Sequence, residues 1–242
     1  MTVVTDHYAQ LLAPIYLWMA GGAEAALAQG AAELSSLGVE PSQGAPATDL
    51  GSGFGMHSIP LARLGYAVTA IDSSSALIEQ LKALGGSGIR TVEADLLDFQ
   101  AQLSSPQALI LCMGDTLTHL QSMDDVASLC ARVAASLERG GRFLTTFRDY
   151  TRPAQAEARF IPVRSDADRI HTCFLEAEAD RMMVHDIVHE RQGIMWSMRV
   201  SRYPKLRLDP AVVERLLAQN ALDVTRESGP RGMVRIVATR SV

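Results

Sequence analysis

The chain lacks any excess of basic charge: 22 Lys and Arg stand against 27 Asp and Glu, a net charge of −5 at pH 7. With no basic run to neutralise a phosphate backbone, nucleic acid is not an expected partner. Cysteine is scarce and odd in number. Cys112, Cys130 and Cys173 lie far apart in apolar neighbourhoods, which argues against a disulfide framework or a zinc site and for buried thiols. No stretch approaches about 18 uncharged apolar residues, so no membrane span is expected. The first residues carry an acid and no basic segment, so no signal peptide is expected and the expected location is cytoplasmic. Internal repeats and low-complexity tracts are also missing. What is present is a chain of 242 residues, 48% of them hydrophobic, enough for one sizeable globular unit.

Helical apolar spacing over residues 7–22 predicts a first helix, stopped by Gly21 and Gly22. An Ala-rich second helix is predicted over 23–38, ended by Gly38. Short strand-like runs then alternate with helical ones. The runs are "ATDL", a helix near 56–64, "AVTAID", a helix near 75–84, "IRTVEAD", "ALILCMG", a helix near 123–138, and "RFLTTFR". Such alternation builds a parallel sheet with helices on both faces. "ATDL" has only two apolar candidates, Ala47 and Leu50, and its assignment rests on its surroundings. Beyond Pro153 three extended runs follow without helices between them, which predicts antiparallel strands. A helix capped by Asp209 with Pro210 in its first turn and two closing strands end the chain. The expectation is a single domain in three parts: an N-terminal helical lid (1–44), an α/β core (45–150 and 208–242) and an antiparallel insertion on the substrate side (151–207).

The stretch "DLGSGFG" joins the first strand to a helix, with glycines at 51, 53 and 55. Glycines at such a turn permit positive φ and let a ligand approach the main chain, while the next helix presents free N–H groups. A nucleotide-like ligand over Gly51, Ser52 and Gly53 would find Asp72 at the end of the second strand, placed to accept from a ribose diol. Dinucleotide enzymes carry G-x-G-x-x-G instead, and their fold commonly begins with the first strand, whereas here about 45 residues precede it. An acidic, glycine-rich turn suits a cofactor with an amino group and no phosphate.

These stretches together resemble the class I S-adenosylmethionine-dependent methyltransferases. "DLGSGFG" is similar to that family's first motif, "AVTAIDSS" to its second and "VEADLLDF" to its third, and the element order is similar over roughly residues 5–242. The resemblance implies a Rossmann-like, seven-stranded, mostly parallel sheet whose last strand is antiparallel. It implies S-adenosyl-L-methionine as cofactor, with S-adenosyl-L-homocysteine as product. Asp49, Gly51, Ser52 and Gly53 would then surround the methionine part and Asp72 the ribose hydroxyls, with Ser73 nearby. Asp95 and Leu96 would flank the adenine and Met113 would lie below it. Tyr8, Tyr16 and Trp18 sit in the presumed lid, where an aromatic can attract a sulfonium or simply belong to helix core.

"LCMGDTLTHL" leaves the fourth strand at its carboxyl end, where open α/β sheets place ligands, and so points Gly114, Asp115 and His119 into the cleft. This stretch and "FRDY" are similar to segments of the glycine and sarcosine N-methyltransferases, and by that resemblance Arg148 would grip an acceptor carboxylate. Those enzymes have Asn where this chain has Asp115, which would repel a carboxylate and attract an ammonium. Asp115 could instead cap a turn, His119 could be a structural histidine, and Arg148 could pair with Asp149. His119 is the first candidate for taking a proton from an amine acceptor and Asp115 the second, with Arg148 orienting the acceptor and Tyr8 adding a hydroxyl contact. His185 and His189 share a strand face, and His171 could approach them, but no third ligand is convincingly spaced and no metal is expected. The expected activity is methyl transfer by in-line displacement to a small-molecule acceptor, nitrogen before oxygen, in a possible homo-oligomer. A noncatalytic cofactor-binding protein, or an NAD-type oxidoreductase or epimerase, stays open; the latter calls for a Tyr-x-x-x-Lys pair, which is not found.

Overall fold

The computed structural model describes residues 11–86, 88–152 and 154–242. Seven strands form the main sheet: β1 (Pro46–Leu50), β2 (Ala67–Asp72), β3 (Arg90–Glu93), β4 (Gln107–Cys112), β5 (Leu137–Phe147), β10 (Leu222–Ser228) and β11 (Val234–Arg240). Their order is β10-β11-β5-β4-β1-β2-β3. The pairs from β5 to β3 are parallel, and β11 runs antiparallel to both β5 and β10. The mostly parallel, seven-stranded sheet with an antiparallel last strand is therefore present.

"ATDL", the least apolar of the expected strands, lies at the centre of the sheet, paired with β2 and β4 and buried along Ala47–Leu50. Its two polar side chains are each bonded inside the protein. Thr48 Oγ1 donates to Gln107 Oε1 (2.9 Å), and Asp49 Oδ2 accepts from Ser58 Oγ (2.5 Å). A central strand can carry such residues because every buried polar group has found a partner.

Helices cover both faces. Helix α2 (Ala23–Ser36), α3 (Ser58–Arg63) and α4 (Ser75–Ala83) pack Leu27, Leu34, Ile59, Leu61 and Leu81 against Ala47, Val68, Ala70 and Leu111. On the opposite face α5 (Met123–Ser136) and α6 (Pro210–Gln219) pack Val126, Leu129, Val133, Val213 and Leu217 against Leu50, Ile71 and Ile110. Cys112 and Cys130 belong to this second layer, and Asp209 caps α6 by accepting from the Ala211 N–H.

The first expected helix is corrected. Its residues 7–10 lie outside the described residues, and from Leu11 the chain is helical but mixed in type: a π turn at 11–12, a 3-10 turn (Ala13–Ile15) and the short α1 (Tyr16–Met19). Pro14 is the physical cause, since it lacks the N–H that would continue an α-helical ladder.

The insertion holds four antiparallel strands rather than three: β6 (Phe160–Ser165), β7 (Arg169–Ala177), β8 (Arg181–Gln192) and β9 (Met195–Leu206), in sequential order. β6 carries Pro162 and a register shift, and it lies at the sheet edge, where a missing N–H is tolerated. Along β8 the buried Met182, Val184, Asp186 and Val188 alternate with half-exposed Met183, His185, Ile187 and His189. The buried face looks toward the core: Val188 packs on Leu11 and Ile15, and Val184 and Tyr203 on Tyr150. The outer face exposes Trp196, Met198 and Val200. Among the described residues no helix is long and apolar enough to cross a membrane.

Candidate active site

The strand order reverses direction between β1 and β4, the place where a crevice opens beyond the carboxyl ends of an open α/β sheet. A cavity of about 250 Å³ lies there. Its walls come from the ends of four strands: Gly51–Phe54 after β1, Ile71–Ser74 after β2, Ala94–Leu97 after β3, and Met113, Gly114, Thr116 and His119 after β4.

The glycine turn is built by its own hydrogen bonds. The Gly51 and Ser52 N–H groups both donate to the Ile71 carbonyl (2.8 and 3.0 Å), Gly53 N–H donates to Asp72 Oδ2 (2.8 Å), and Gly55 N–H to the Ser52 carbonyl (3.0 Å). Gly51 and Gly53 have φ of +70° and +55°, in the left-handed region. A Cβ on Gly51 would lie 2.3 Å from Thr116 Cγ2, whereas one on Gly53 would meet nothing within 4 Å. Gly51 is thus needed for packing, and Gly53 leaves its main chain bare on the cavity.

Asp72 receives Gly53 N–H on one oxygen and Ser74 N–H (2.8 Å) on the other. Asp72 lines the cavity, and a carboxylate has acceptor capacity beyond these two bonds. Burial pushes the Asp72 carboxyl above the usual range against these two N–H groups. Burial likewise raises Asp49, opposed by the His57 charge and the Ser58 hydroxyl. Ser52 Oγ is buried at the cavity with no hydrogen-bond partner among the described residues.

Of the residues expected at the cofactor, Gly51, Ser52, Gly53, Asp72, Ser73, Asp95, Leu96 and Met113 line the cavity. Asp49 does not. It lies beneath the turn, bonded to Ser58, so it acts on the cavity only through its charge and the turn's shape. Trp18 does not line the cavity either: its indole N–H donates to Asp166, and Arg169 and Arg164 lie over its ring at 5.0 and 5.7 Å. Tyr16 is the aromatic that reaches the cavity, edge-on to Phe54 (5.6 Å). Tyr8 falls outside the described residues.

On the acceptor side Gly114 and His119 line the cavity and Asp115 and Arg148 do not. Asp115 is 5% exposed and its carboxylate is fully engaged. It accepts from Lys205 Nζ, Tyr150 Oη (3.2 Å), Thr118 Oγ1 (3.1 Å) and the Arg148 N–H (2.8 Å). These contacts tie Asp115 to Arg148 at the end of β5, to Tyr150 and to β9. The Arg148 guanidinium donates to the Arg231 carbonyl (3.1 Å). His171, His185 and His189 do not come together, because His185 and His189 lie on the outer face of β8 while His171 faces the core. His171 instead stands 2.7 Å from Asp186 Oδ1, which also accepts from Cys173 Sγ (2.8 Å); ligand atoms of the three residues lie within 4.8 Å of one another, and His171 Nδ1 is buried with no hydrogen-bond partner among the described residues. Burial and the Asp186 charge push the Cys173 thiol up.

Three features were not foreseen. His57 lines the cavity with its Nε2 2.8 Å from Glu33 Oε2, inside α2. Burial would raise Glu33, but the His57 and Gln29 hydrogen bonds outweigh it and hold the carboxyl below its usual range. Phe54 and Leu97 complete the apolar walls. Tyr203 of β9 stacks on His119 with ring centroids 5.4 Å apart and planes 17° apart. A Glu one helix away and a Tyr 84 positions further on leave no local spacing signal; only the G-x-G-x-G-x-H run hinted at His57.

Residues 47–141 match the family described as a methyltransferase domain. The glycine/sarcosine N-methyltransferase of Aphanothece halophytica is 27% identical over 107 residues, which cover 42% of this chain. The match spans 40% of that enzyme's own length. Among solved structures, an S-adenosylmethionine-dependent methyltransferase from Clostridium acetobutylicum superposes with a TM-score of 0.73, covering 98% of this chain and 99% of that one at 15% identity. CalS10 of Micromonospora echinaspora, an amino pentose methyltransferase, gives 0.73 over 90% and 91% at 14% identity. At these identities the structural likeness is one of fold.

Proposed function

We propose that the chain is a class I S-adenosylmethionine-dependent methyltransferase, a reading supported by the methyltransferase-domain match over residues 47–141 and by the fold, and that it transfers a methyl group to the nitrogen of a small-molecule acceptor. The observation that carries this reading is the junction of the glycine turn with Asp72. The N–H groups of Gly51, Ser52, Gly53 and Gly55 are all spent inside the protein, so the turn offers no row of donors for a pyrophosphate. What it offers is a bare backbone at Gly53, spare acceptor sites on Asp72 and an unpartnered Ser52 hydroxyl. That set fits a nucleoside with a zwitterionic, cationic tail.

S-adenosylmethionine, when bound, supplies a methyl group on a positively charged sulfur that leaves as a neutral thioether. Asp72 holds the ribose hydroxyls, and Leu96, Leu97 and Met113 form the apolar slot for the base, with Asp95 at its rim. Ser52 meets the amino-acid tail, and the carboxyls of Asp72 and Asp49 favour a cation above the turn. Displacement at carbon needs no covalent link to the protein, so the chain's task is alignment in a dry site. Tyr16, Phe54 and Leu120 contribute apolar wall to the cavity. A protonated amine must lose its proton before its lone pair can attack, and His119, on the loop after β4, is the candidate at the cavity wall to accept it. In this reading the segment before residue 44 covers the cavity through Tyr16, and the insertion 151–207 closes the acceptor side through Tyr203.

Nitrogen is favoured over oxygen because the similar curated enzyme is an N-methyltransferase by name and CalS10 acts on an amino pentose by its name. The placement of Arg148 away from the cavity argues against an acceptor held by its carboxylate. The test combines calorimetric titration of S-adenosylhomocysteine with labelled methyl donor offered to a panel of amines, amino acids and phenols. Micromolar binding with label on amines is the expected result. Preference for NAD removes the reading, binding without turnover across the panel favours a noncatalytic role, and label on phenols alone moves the acceptor atom to oxygen.

A further inference from the structure

Two side chains of β9 reach the loop after β4 from the far side of the insertion. Tyr203 and Lys205, two apart and therefore on one strand face, oppose Asp115 and His119, four apart on the 3-10 turn that begins at Asp115. Lys205 Nζ donates to the Asp115 carboxylate and also lies 5.8 Å from the centre of the Tyr203 ring, which in turn stacks on His119. Tyr203, Lys205 and Asp115 are 5%, 7% and 5% exposed, so the chain of contacts is shut off from solvent. Asp115 holds φ at +77°, uncommon for a residue with a Cβ, and its four donors keep it there. The loop they grip supplies Gly114, Thr116 and His119 to the cavity wall.

We infer that Tyr203 and Lys205 are positioning residues: β9 of the insertion fixes the orientation of the His119 ring at the cavity by stacking on it and by anchoring the turn that carries it through Asp115. The inference rests on the proposed methyl transfer for its consequence in turnover, though its geometric part stands without it. A stacked aromatic restricts the imidazole to one plane, and an imidazole that takes a proton from a bound amine must present one ring nitrogen along one direction. Freed of the ring, His119 keeps its chemistry and loses its aim. A misplacement on the order of 1 Å costs about 100-fold in rate. Acceptor specificity in this chain would then depend on how the insertion docks as well as on the residues that touch the acceptor.

The experiment compares Tyr203→Leu with Tyr203→Phe, each first checked for a native melting transition. The first readout is the His119 ring proton resonance, assigned through His119→Gln, because a stacked phenol shifts it by its ring current. Tyr203→Leu should move that resonance and Tyr203→Phe should leave it near the wild-type position. The second is turnover on the amine identified by the panel: kcat should fall about 10- to 100-fold in Tyr203→Leu and recover to within a few fold in Tyr203→Phe. S-adenosylhomocysteine affinity should be unchanged in both. An unmoved His119 resonance in Tyr203→Leu overturns the inference, and so does a Tyr203→Phe enzyme as slow as Tyr203→Leu. Loss of S-adenosylhomocysteine binding by the wild-type chain would instead strike the functional reading, and the resonance would still decide the positioning.

Discussion

Replacing Asp72 by Asn separates binding from folding. In the structure each Asp72 oxygen accepts one backbone N–H, from Gly53 and from Ser74, and each has one acceptor site to spare for a ribose hydroxyl. Hydrogen bonds to a charged group contribute about 1.5–3 kcal/mol each, and an amide keeps only one acceptor oxygen, so the variant should lose about 2–3 kcal/mol of ligand affinity. That is roughly 30- to 150-fold in Kd. With S-adenosylhomocysteine at about 100 times the wild-type Kd, binding stabilises the native state by about 2.7 kcal/mol. For a domain of this size the shift in Tm is roughly 5–10 °C. The same concentration should add only about 0.3–0.9 kcal/mol to the variant, a shift of roughly 1–3 °C. Without ligand the variant should melt within a few degrees of wild type. Burial raises the Asp72 carboxyl, so its ionised form is disfavoured by the fold and a neutral amide relieves that cost while giving up one backbone acceptor. The assay is a thermal melt of both proteins with and without ligand. An Asp72→Asn protein that gains as many degrees as wild type would refute the placement of the ribose.

The two glycines should part ways. Gly51→Ala puts a methyl 2.3 Å from Thr116 Cγ2 at positive φ and should cost about 2–4 kcal/mol of stability by chemical denaturation, while Gly53→Ala, with open space around it, should fold with a loss of about 1 kcal/mol and bind S-adenosylhomocysteine far more weakly. Lys205→Met leaves the buried Asp115 carboxylate unpaired and should destabilise by about 3–5 kcal/mol, with Asp115→Asn adding little on top; additive losses in the double-mutant cycle would show that the pair does not couple. Glu33→Gln should cost most at neutral pH. The folded state holds Glu33 below its unfolded pKa, so its contribution is present above that unfolded value and is lost as pH falls through the folded one; a cost that grows on acidification would contradict the His57–Glu33 pairing. Asp49 has the opposite sign: burial raises it, so its ionisation costs stability as pH rises past the usual carboxylate range, and Asp49→Asn should narrow the neutral-pH penalty provided Ser58 keeps its acceptor.

The half of the cavity proposed for the cofactor has its lining residues legible from sequence because its parts are local. Gly51, Gly53 and Asp72 are fixed by one strand–turn–helix–strand unit, and the residues after β3 and β4 follow from the rule that strand ends in a parallel sheet share one rim. Where spacing misled, a competing contact of long range had taken the side chain. Trp18 lies in the expected lid, yet its N–H goes to Asp166 and two arginines of the insertion cover its ring, leaving the cavity to Tyr16 two positions earlier. Asp115 is positioned by sequence at the rim, but Lys205, 90 residues on, pairs with its carboxylate beside the turn that carries His119. Nothing in "GDTLTH" specifies that outcome, since the partner arrives through the register of β8 with β9, which pairs Val184 with Tyr203 and Met182 with Lys205. A shift of that register by one residue would present Arg202 and Pro204 to the turn instead, and the acceptor side would lose both its stacked ring and its cation while the cofactor side stayed intact. The residues after β1 and β2 and the residues that hold the turn after β4 are therefore specified by different parts of the chain, so under the proposed function acceptor preference would change through the insertion without disturbing Asp72 or the glycine turn.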